Sequence, residues 1–526
     1  MDPAVPEEVA HRRRRRRRRR GQEAGVASRR SARKGVTRLA SAGLQLGGLA
    51  VYALFFLFIV VAPLPMGANR DWAWAPMTVA VGVLALLCAA GVGGREALAV
   101  THRERTPLLA LAACFLFMVM VAVLQMSPLS PLPTATAWYY ERAAGLLGQA
   151  NGAVPGLAVD LSREALLRCI ACAAIFLMAR VLFRDQQWAR LLLNVFVVSA
   201  VVVVSYAIFE QVKTHSCYVG DFLKKQGLFQ FANDRCLVSG TFVGSNSFGC
   251  FVGMGLVAAL ALILDGQGPR LFLPEEEYSE ESVGLADWLS GPKVVHIALA
   301  LYLLGGALLS ASRAGAVATL LGVVILGFLL LRDRAGAVFS TGRIMAIAVF
   351  VGIVIFVIAG GAFIGKMSRL SEVANLNRVL IWRHSLVALG ESPWLGWGLG
   401  SFNDVYAIHQ PISIPQPNDK AHSTPLEFAV ELGVPGALAA IACCLLPWGV
   451  SLVAAVRRQR QRYLSAAAFA VSAVAILHSC VDFSLQIPAI AFVVSALLGM
   501  GWAQAFRRSG PQVPAADLQG SFASGA

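Results

Sequence analysis

Long apolar stretches alternate with short polar segments along most of this chain. Twelve of the stretches approach the roughly 20 residues that an α-helix needs to cross the ~30 Å hydrocarbon core of a membrane. They lie at about 43–62, 76–93, 107–125, 165–183, 190–209, 245–265, 293–311, 314–331, 344–364, 434–455, 464–483 and 487–506. The pattern predicts an all-α polytopic membrane protein with about 12 transmembrane helices.

Composition supports the membrane class. Of the 526 residues, 57% are hydrophobic and only 14% are charged. A soluble domain of this length needs more charged side chains to cover its surface.

Basic residues recur in alternate segments between the predicted spans. With a cytoplasmic N-terminus, five of the six later cytoplasmic segments meet the positive-inside rule. The exception is 266–292, which holds the acidic run Glu275–Glu281. The Arg residues are Arg95, Arg103, Arg105, Arg184, Arg190, Arg332, Arg334, Arg343, Arg457, Arg458, Arg460, Arg462, Arg507 and Arg508. We therefore expect both termini in the cytoplasm.

The same topology divides the chain into five parts and leaves four substantial segments outside. The parts are a cytoplasmic tail (1–42), spans 1–9 (43–364), an outer loop (365–433), spans 10–12 (434–506) and a second cytoplasmic tail (507–526). The outer segments are about 126–163, 210–244, the hairpin Ser310–Gly315 and 365–433.

The N-terminal tail is strongly basic. Residues 1–38 contain 13 Arg, one Lys and four acidic residues, and so contribute +10 to the net charge of +15. The run Arg12 to Arg20 can indicate nucleic-acid binding. Ahead of a membrane span, a disordered tail that contacts anionic lipid headgroups is the better interpretation. We expect no nucleic-acid partner.

The ten Cys residues show no metal-binding pattern, and small apolar packing residues account for most of them. Cys217 and Cys236 differ, because both fall in one predicted outer loop where oxidation is possible. A disulfide between them is a hypothesis that the sequence leaves open.

The outer loop 365–433 is the longest segment between spans, and long loops often carry function. A helical period runs over Leu376–Leu389 and places Arg378 and Trp382 one turn apart. Further along, the Gly- and Trp-rich stretch 393–400 suits a loop at a membrane surface.

A second helix is predicted directly after His422. Thr424 is expected to cap it, with Pro425 at its first position and Glu427 closing a capping box. The sequence 433–436 should break the helix before the next span. A His at such a place can act as a general base, although a lone loop His without a role is the alternative.

Several short motifs follow one another in a recognisable order. They are Ser239-Gly240-Thr241-Phe242 with Asn246, Ser312-Arg313-Ala314-Gly315, Arg378 to Trp382, Gly396/Gly398/Gly400 with Phe402, and His422-Ser423 followed by Gly433 and Gly436. Together they resemble the pattern of the O-antigen ligase family, which includes related polysaccharide polymerases, over about 235–500.

The resemblance implies a GT-C-like fold and a glycosyltransferase of the bacterial inner membrane that needs no metal or other cofactor. Such an enzyme moves a glycan from an undecaprenyl pyrophosphate donor to an acceptor hydroxyl on the periplasmic side, with inversion. The acceptor is a lipid A core for a ligase or a second lipid-linked glycan for a polymerase, and a related enzyme uses a protein. The residues alone do not separate these.

Residue roles follow from the resemblance and from the chemistry of a diphosphate leaving group, whose developing charge needs fixed cations or a metal. Arg binds phosphate oxygens bidentately and stays protonated. Arg313 and Arg378 are therefore candidate catalytic residues together with His422 as the base. Arg235, Arg383 and Trp382 are candidate substrate-binding residues.

Three acidic residues are candidates for supporting that base. Glu427 and Glu431 either hold His422 or solvate their helix. Asp482, near the end of the eleventh span beside His478, either supports the site or makes a hydrogen bond inside the bundle.

A transporter or a flippase for lipid-linked glycans is the alternative function. Such proteins carry ionisable residues in mid-span and paired broken helices. Here the predicted spans are nearly free of charge, which favours an enzyme on the outer face.

Overall fold

The computed structural model describes residues 48–91, 100–127, 158–214, 238–265, 293–331, 377–411, 418–457 and 462–507, together with residues 142, 145, 146 and 148. Helices are the regular structure throughout these ranges, so the prediction of an all-α protein is confirmed there. We number the helices α1 (Gly48–Val61), α2 (Asp71–Gly91), α3 (His102–Gln125), α4 (Val159–Leu182), α5 (Gln186–Thr214), α6 (Ser245–Leu264), α7 (Lys293–Leu309), α8 (Arg313–Leu331), α9 (377–391), α10 (Phe402–His409), α11 (Thr424–Arg457), α12 (Tyr463–His478) and α13 (Pro488–Ala505).

Eight helices in the described ranges are long and apolar enough to cross a membrane: α2, α3, α4, α5, α6, α8, α11 and α13. The shorter apolar helices α1, α7 and α12 coincide with three more predicted spans. The predicted span 344–364 lies outside the described residues, as does the Arg-rich tail. The described chain thus gives eight candidate spans, and the count of 12 stays a prediction.

The eleventh predicted span is shorter than its apolar run indicates. Its helix, α12, ends at His478, and residues 479–483 form a turn before the 3-10 helix Ser484–Gln486. The turn contains the buried Asp482, whose hydrogen bonds fix it outside a regular helix. Periodicity alone misses this end because the residues on either side of Asp482 remain apolar.

One end of the helix bundle is rich in Arg, and we call it the basic end. Arg190 at the start of α5 pairs with Asp265 directly after α6. Arg462 ahead of α12 donates from Nη2 to the carbonyl of Leu330 in α8 over 2.9 Å. The start of α5 and the end of α6 therefore lie at the same end of the bundle, as do the end of α8 and the start of α12.

The described spans are not entirely free of charge. Glu104 in the first turn of α3 and Arg180 in the last turn of α4 are both buried and form an ion pair. The indole Nε1 of Trp502 donates to the same carboxylate over 2.9 Å. The spans are expected to be nearly free of charge, and this pair at the basic end is an exception, as is Arg168, which pairs with Glu164 within α4.

Glycines bring α6 close to its neighbours. A Cβ atom on Gly249 would lie 2.6 Å from Ser310 Oγ, and one on Gly253 would lie 1.9 Å from Thr319 Oγ1. Small residues allow such close approach of membrane helices. As a result, the start of α6 packs directly against the α7–α8 hairpin.

Helix α11 is interrupted where the sequence predicts a break. Gly433 has φ 68° and ψ 170°, which separates the segment 424–432 from the apolar remainder of the helix. The loop 393–400 packs against this break, and a Cβ on Gly396 would lie 2.3 Å from the carbonyl oxygen of Glu431. Backbone therefore contacts backbone here, which only glycine at both positions permits.

Candidate active site

Side chains from four separate segments meet at the end of the bundle opposite the basic end, which we call the site end. Asp482 in the α12–α13 turn is their common neighbour and is fully buried. Its Oδ2 atom accepts a 2.6 Å hydrogen bond from Asn246 Nδ2 of α6 and lies 3.5 Å from Arg378 Nη2 of α9. Its Oδ1 atom lies 3.6 Å from His422 Nδ1.

Asp482 is held as a carboxylate. Burial alone would raise its pKa, but the nearby His422 and His478 imidazoles and the N–H of Phe483, which donates over 2.8 Å, together lower the pKa below its ordinary value. The result is a fixed negative charge between an imidazole and a guanidinium. Asp482 therefore lies beside the candidate residues His422 and Arg378, and it also makes the expected hydrogen bond inside the bundle, with Asn246.

His422 is oriented with one ring nitrogen toward this carboxylate. Its side chain is 28% exposed, and its ring centroid lies 5.3 Å from that of Phe483, with the two ring planes tilted by 59°. No described residue forms a hydrogen bond to Nε2. A carboxylate beside Nδ1 favours the tautomer whose Nε2 can accept a proton.

Arg378 lies between the carboxylate and the surface. Besides approaching Asp482, its Nη1 atom donates to the carbonyl of Val481 over 3.4 Å, and its side chain is 30% exposed. Part of the guanidinium remains accessible to a ligand, as the sequence prediction requires.

A chain of hydrogen bonds joins Asp482 to the hairpin that carries Arg313. Ser312 Oγ donates to Asn246 Oδ1 over 2.9 Å. Ser312 Oγ also accepts a hydrogen bond from the N–H of Gly315 over 3.1 Å. Arg313, the first residue of α8, is exposed and forms no ion pair within the described residues. The motifs around 246, 312, 378 and 422 therefore occupy one region.

Glu427 and Glu431 do not hold His422. Glu427 accepts hydrogen bonds from Lys420 Nζ (3.1 Å) and from the N–H of Ala421 (2.9 Å). Glu431 accepts the N–H of Phe402 over 3.2 Å. Both carboxylates are buried and stabilise the loop backbone instead.

The expected capping box at Thr424 is also wrong. The N–H of Thr424 donates to the carbonyl of Ser479 over 2.9 Å, so the α12–α13 turn, rather than Glu427, satisfies this donor. The prediction failed because a local motif cannot reveal an acceptor that is distant in sequence.

The remaining predicted residues differ in their positions. Trp382 donates from Nε1 to the carbonyl of Ala421 over 2.9 Å, next to His422. Arg383 is exposed on the face of α9 opposite the buried Ile381, Ser385 and Ala388, turned away from Arg378. Arg235 lies outside the described residues, as do Cys217 and Cys236.

Two contributions escaped sequence reasoning. Gln125, at the last position of α3, accepts the N–H of Leu399 over 3.1 Å and donates to the carbonyls of Leu395 and Glu431. The ion pair of Lys420 with the buried Glu427 fixes the segment ahead of His422. The contribution of Gln125 could have been found in the sequence, because it is a polar residue at the end of an apolar run.

No three His, Cys, Asp or Glu side chains come together to form a metal site within the described part of the chain. The charged groups that can meet an anionic ligand here are the guanidinium groups of Arg313 and Arg378.

Comparison with known proteins agrees with the motif pattern. Residues 298–441 match the family model described as O-antigen ligase. The matched range contains Arg313, Arg378 and His422, whereas Asn246 and Asp482 lie outside it. A sequence comparison with curated proteins gives no match. The predicted resemblance to the O-antigen ligase family is confirmed over residues 298–441.

Proposed function

We propose that this chain, which carries an O-antigen ligase domain over residues 298–441, transfers a glycan from an undecaprenyl pyrophosphate donor to an acceptor hydroxyl at its site end. The observation that carries the proposal is the placement of His422 and Arg378 on the two oxygens of one buried carboxylate, Asp482. That arrangement places a base, His422, and a cation, Arg378, side by side where both side chains are partly exposed.

The diphosphate of the donor is assigned to Arg313 and Arg378. Arg313 is the exposed guanidinium without an ion pair at the start of α8. Arg378 forms an ion pair with Asp482, and this contact fixes the orientation of its guanidinium group toward the ligand. Negative charge develops on the diphosphate as it leaves, and preorganised guanidinium groups stabilise that charge without a metal.

His422 acts on the acceptor. The acceptor oxygen attacks the anomeric carbon while the bond from that carbon to the diphosphate oxygen breaks, and the hydroxyl proton passes to His422 Nε2. The products are the inverted glycoside and undecaprenyl pyrophosphate. Asp482, near Nδ1, stabilises the imidazolium that forms.

The site end is assigned to the periplasm. Arg residues concentrate at the basic end, which by the positive-inside rule faces the cytoplasm. The protein then lies in the bacterial inner membrane with both termini inside. A lipid-linked donor would present its diphosphate at the level of Arg313, where α8 begins.

Deletion of the gene tests the function. We expect loss of one glycan product and accumulation of an undecaprenyl-pyrophosphate-linked intermediate. Loss of glycan from a lipid A core identifies a ligase, loss of long chains with retention of single repeats identifies a polymerase, and loss of glycan from a protein identifies a protein acceptor. Accumulation of the intermediate on the cytoplasmic leaflet would instead support a flippase.

A further inference from the structure

The peptide groups on both sides of Ala421 are fixed by side chains from two different helices. The N–H of Ala421 donates to Glu427 Oε2 of α11 over 2.9 Å, and its carbonyl accepts from Trp382 Nε1 of α9 over 2.9 Å. Ala421 is fully buried. The carbonyl of Ala421 belongs to the peptide group that joins Ala421 to His422. The two hydrogen bonds together therefore fix the backbone orientation at the start of His422.

His422 needs such support because of its backbone conformation. Its φ is 51°, in the left-handed region that residues with a side chain seldom adopt. A residue stays in that region only when its surroundings fix it there. On the other side of His422, the N–H of Thr424 is held by the carbonyl of Ser479, in the same turn as Asp482.

Glu427 is itself held in place. It is buried, and Lys420 Nζ pairs with its Oε1 atom over 3.1 Å while Oε2 accepts from Ala421. Each oxygen thus has one donor, and neither oxygen points to the imidazole of His422. The pair acts on the backbone ahead of the base.

We infer that Trp382 and Glu427 are positioning residues that hold His422 in its left-handed conformation against Asp482. The inference rests on the proposed role of His422 as base. It also gives Trp382 a role different from the substrate binding that the sequence suggests, because the indole N–H is already used by Ala421. The two roles make opposite kinetic predictions.

The first experiment compares Trp382→Phe with Trp397→Phe. Both tryptophans donate from Nε1 to a backbone carbonyl, Trp397 to Ala388 of α9 over 2.8 Å, but only Trp382 bonds the residue next to His422. The assay measures release of undecaprenyl pyrophosphate by the detergent-solubilised full chain. It uses the lipid-linked glycan extracted from the deletion strain as donor, with membranes of that strain as acceptor.

We expect Trp382→Phe to lower kcat on the order of 10- to 100-fold with little change in the KM for the donor, because a base displaced by about 1 Å loses that much. Trp397→Phe should keep kcat close to that of the wild type. A raised KM with an unchanged kcat in Trp382→Phe would overturn the inference and favour substrate binding. Equal effects of the two variants on kcat would also overturn it, since the role would then be only structural.

A second pair of variants isolates the hydrogen-bond acceptor at position 427 without leaving the ammonium of Lys420 unpaired. Lys420→Met with Glu427→Gln keeps one oxygen for the N–H of Ala421, whereas Lys420→Met with Glu427→Leu removes it. The Gln variant should retain most of kcat and the Leu variant should lose it to the same extent as Trp382→Phe. Equal kcat in the two double variants would contradict the assignment of Glu427.

The outcome for His422→Ala separates this inference from the proposed function. Full activity of His422→Ala would reject the base itself. An inactive His422→Ala together with wild-type kinetics in Trp382→Phe would reject only the positioning role.

Discussion

Oδ1 of Asp482 lies 3.6 Å from Nδ1 of His422, although the two residues are 60 positions apart and belong to different segments of the bundle. The fully buried carboxylate and the partly exposed imidazole form the pair on which the proposed chemistry depends. Arg378 and Asn246 complete the surroundings of the carboxylate.

Asp482→Asn should reduce transfer by at least 10²-fold, because the amide keeps the shape of the side chain but no longer stabilises the imidazolium of His422. Initial rates of undecaprenyl pyrophosphate release provide the measurement. Asp160→Asn is the matched control, since that side chain is 90% exposed in a surface ion pair. Comparable activity of the two variants would refute the role of Asp482.

Stability should depend on Asp482 in a defined pH range. Its pKa in the folded protein lies below the ordinary value of 3.8. The carboxylate therefore stabilises the fold fully above pH 3.8, and this contribution is lost as pH falls through the lower folded value. Thermal unfolding in detergent should show a constant difference between wild type and Asp482→Asn from pH 7 to about 5, shrinking only in stronger acid. A difference that vanishes already between pH 7 and 6 would contradict this.

Arg313→Ala should abolish transfer while the protein remains in the membrane, because the diphosphate loses its unpaired guanidinium. Arg313→Lys should restore only part of the rate, since an ammonium cannot bind two phosphate oxygens in a planar fork. Arg163→Ala, on a surface ion pair of α4, serves as the control. Wild-type release of undecaprenyl pyrophosphate by Arg313→Ala would remove this residue from the site.

Gly396→Ala should displace the loop 393–400 from α11. The residue has φ 67°, and a Cβ atom would meet the carbonyl of Glu431 at 2.3 Å. We expect destabilisation on the order of 1–3 kcal/mol and loss of activity. Gly390→Ala is the control, because a Cβ there meets no atom within 4 Å and Ala favours the helix by roughly 0.5–1 kcal/mol. Equal melting temperatures for the two variants would show that the contact is not tight.

The topology has its own test. Alkaline phosphatase fused after residue 400 should be active, and the same enzyme fused after residue 457 should be inactive, because only the site end is assigned to the periplasm. Activity of the second fusion alone would place the site in the cytosol and exclude the proposed donor.

The sequence predicts the helices well, because apolar runs and the helical period are local properties. The start of α8 at Arg313, the helix that carries Arg378 and the break at Gly433 all follow from such local signals. The end of α12 does not follow from a local signal, because the turn after it contains no Gly or Pro and is fixed by the buried Asp482.

The sequence indicates which residues form the candidate site better than it indicates which of them contact one another. The sequence offers Glu427, Glu431 and Asp482 as possible partners of His422 and does not choose among them. The folded chain brings Asp482 to His422 and directs Glu427 to Ala421. Pairing across 60 residues depends on how α12 and α11 pack, and this packing leaves no local trace in the sequence.

The most direct test of the account is the behaviour of His422→Ala in the deletion strain, with protein level in the membrane measured in parallel. We predict that this variant, at wild-type abundance, fails to restore the missing glycan product and leaves the undecaprenyl-pyrophosphate-linked intermediate accumulated in the periplasmic leaflet. Restoration of the product to wild-type amounts by the same variant would contradict the account.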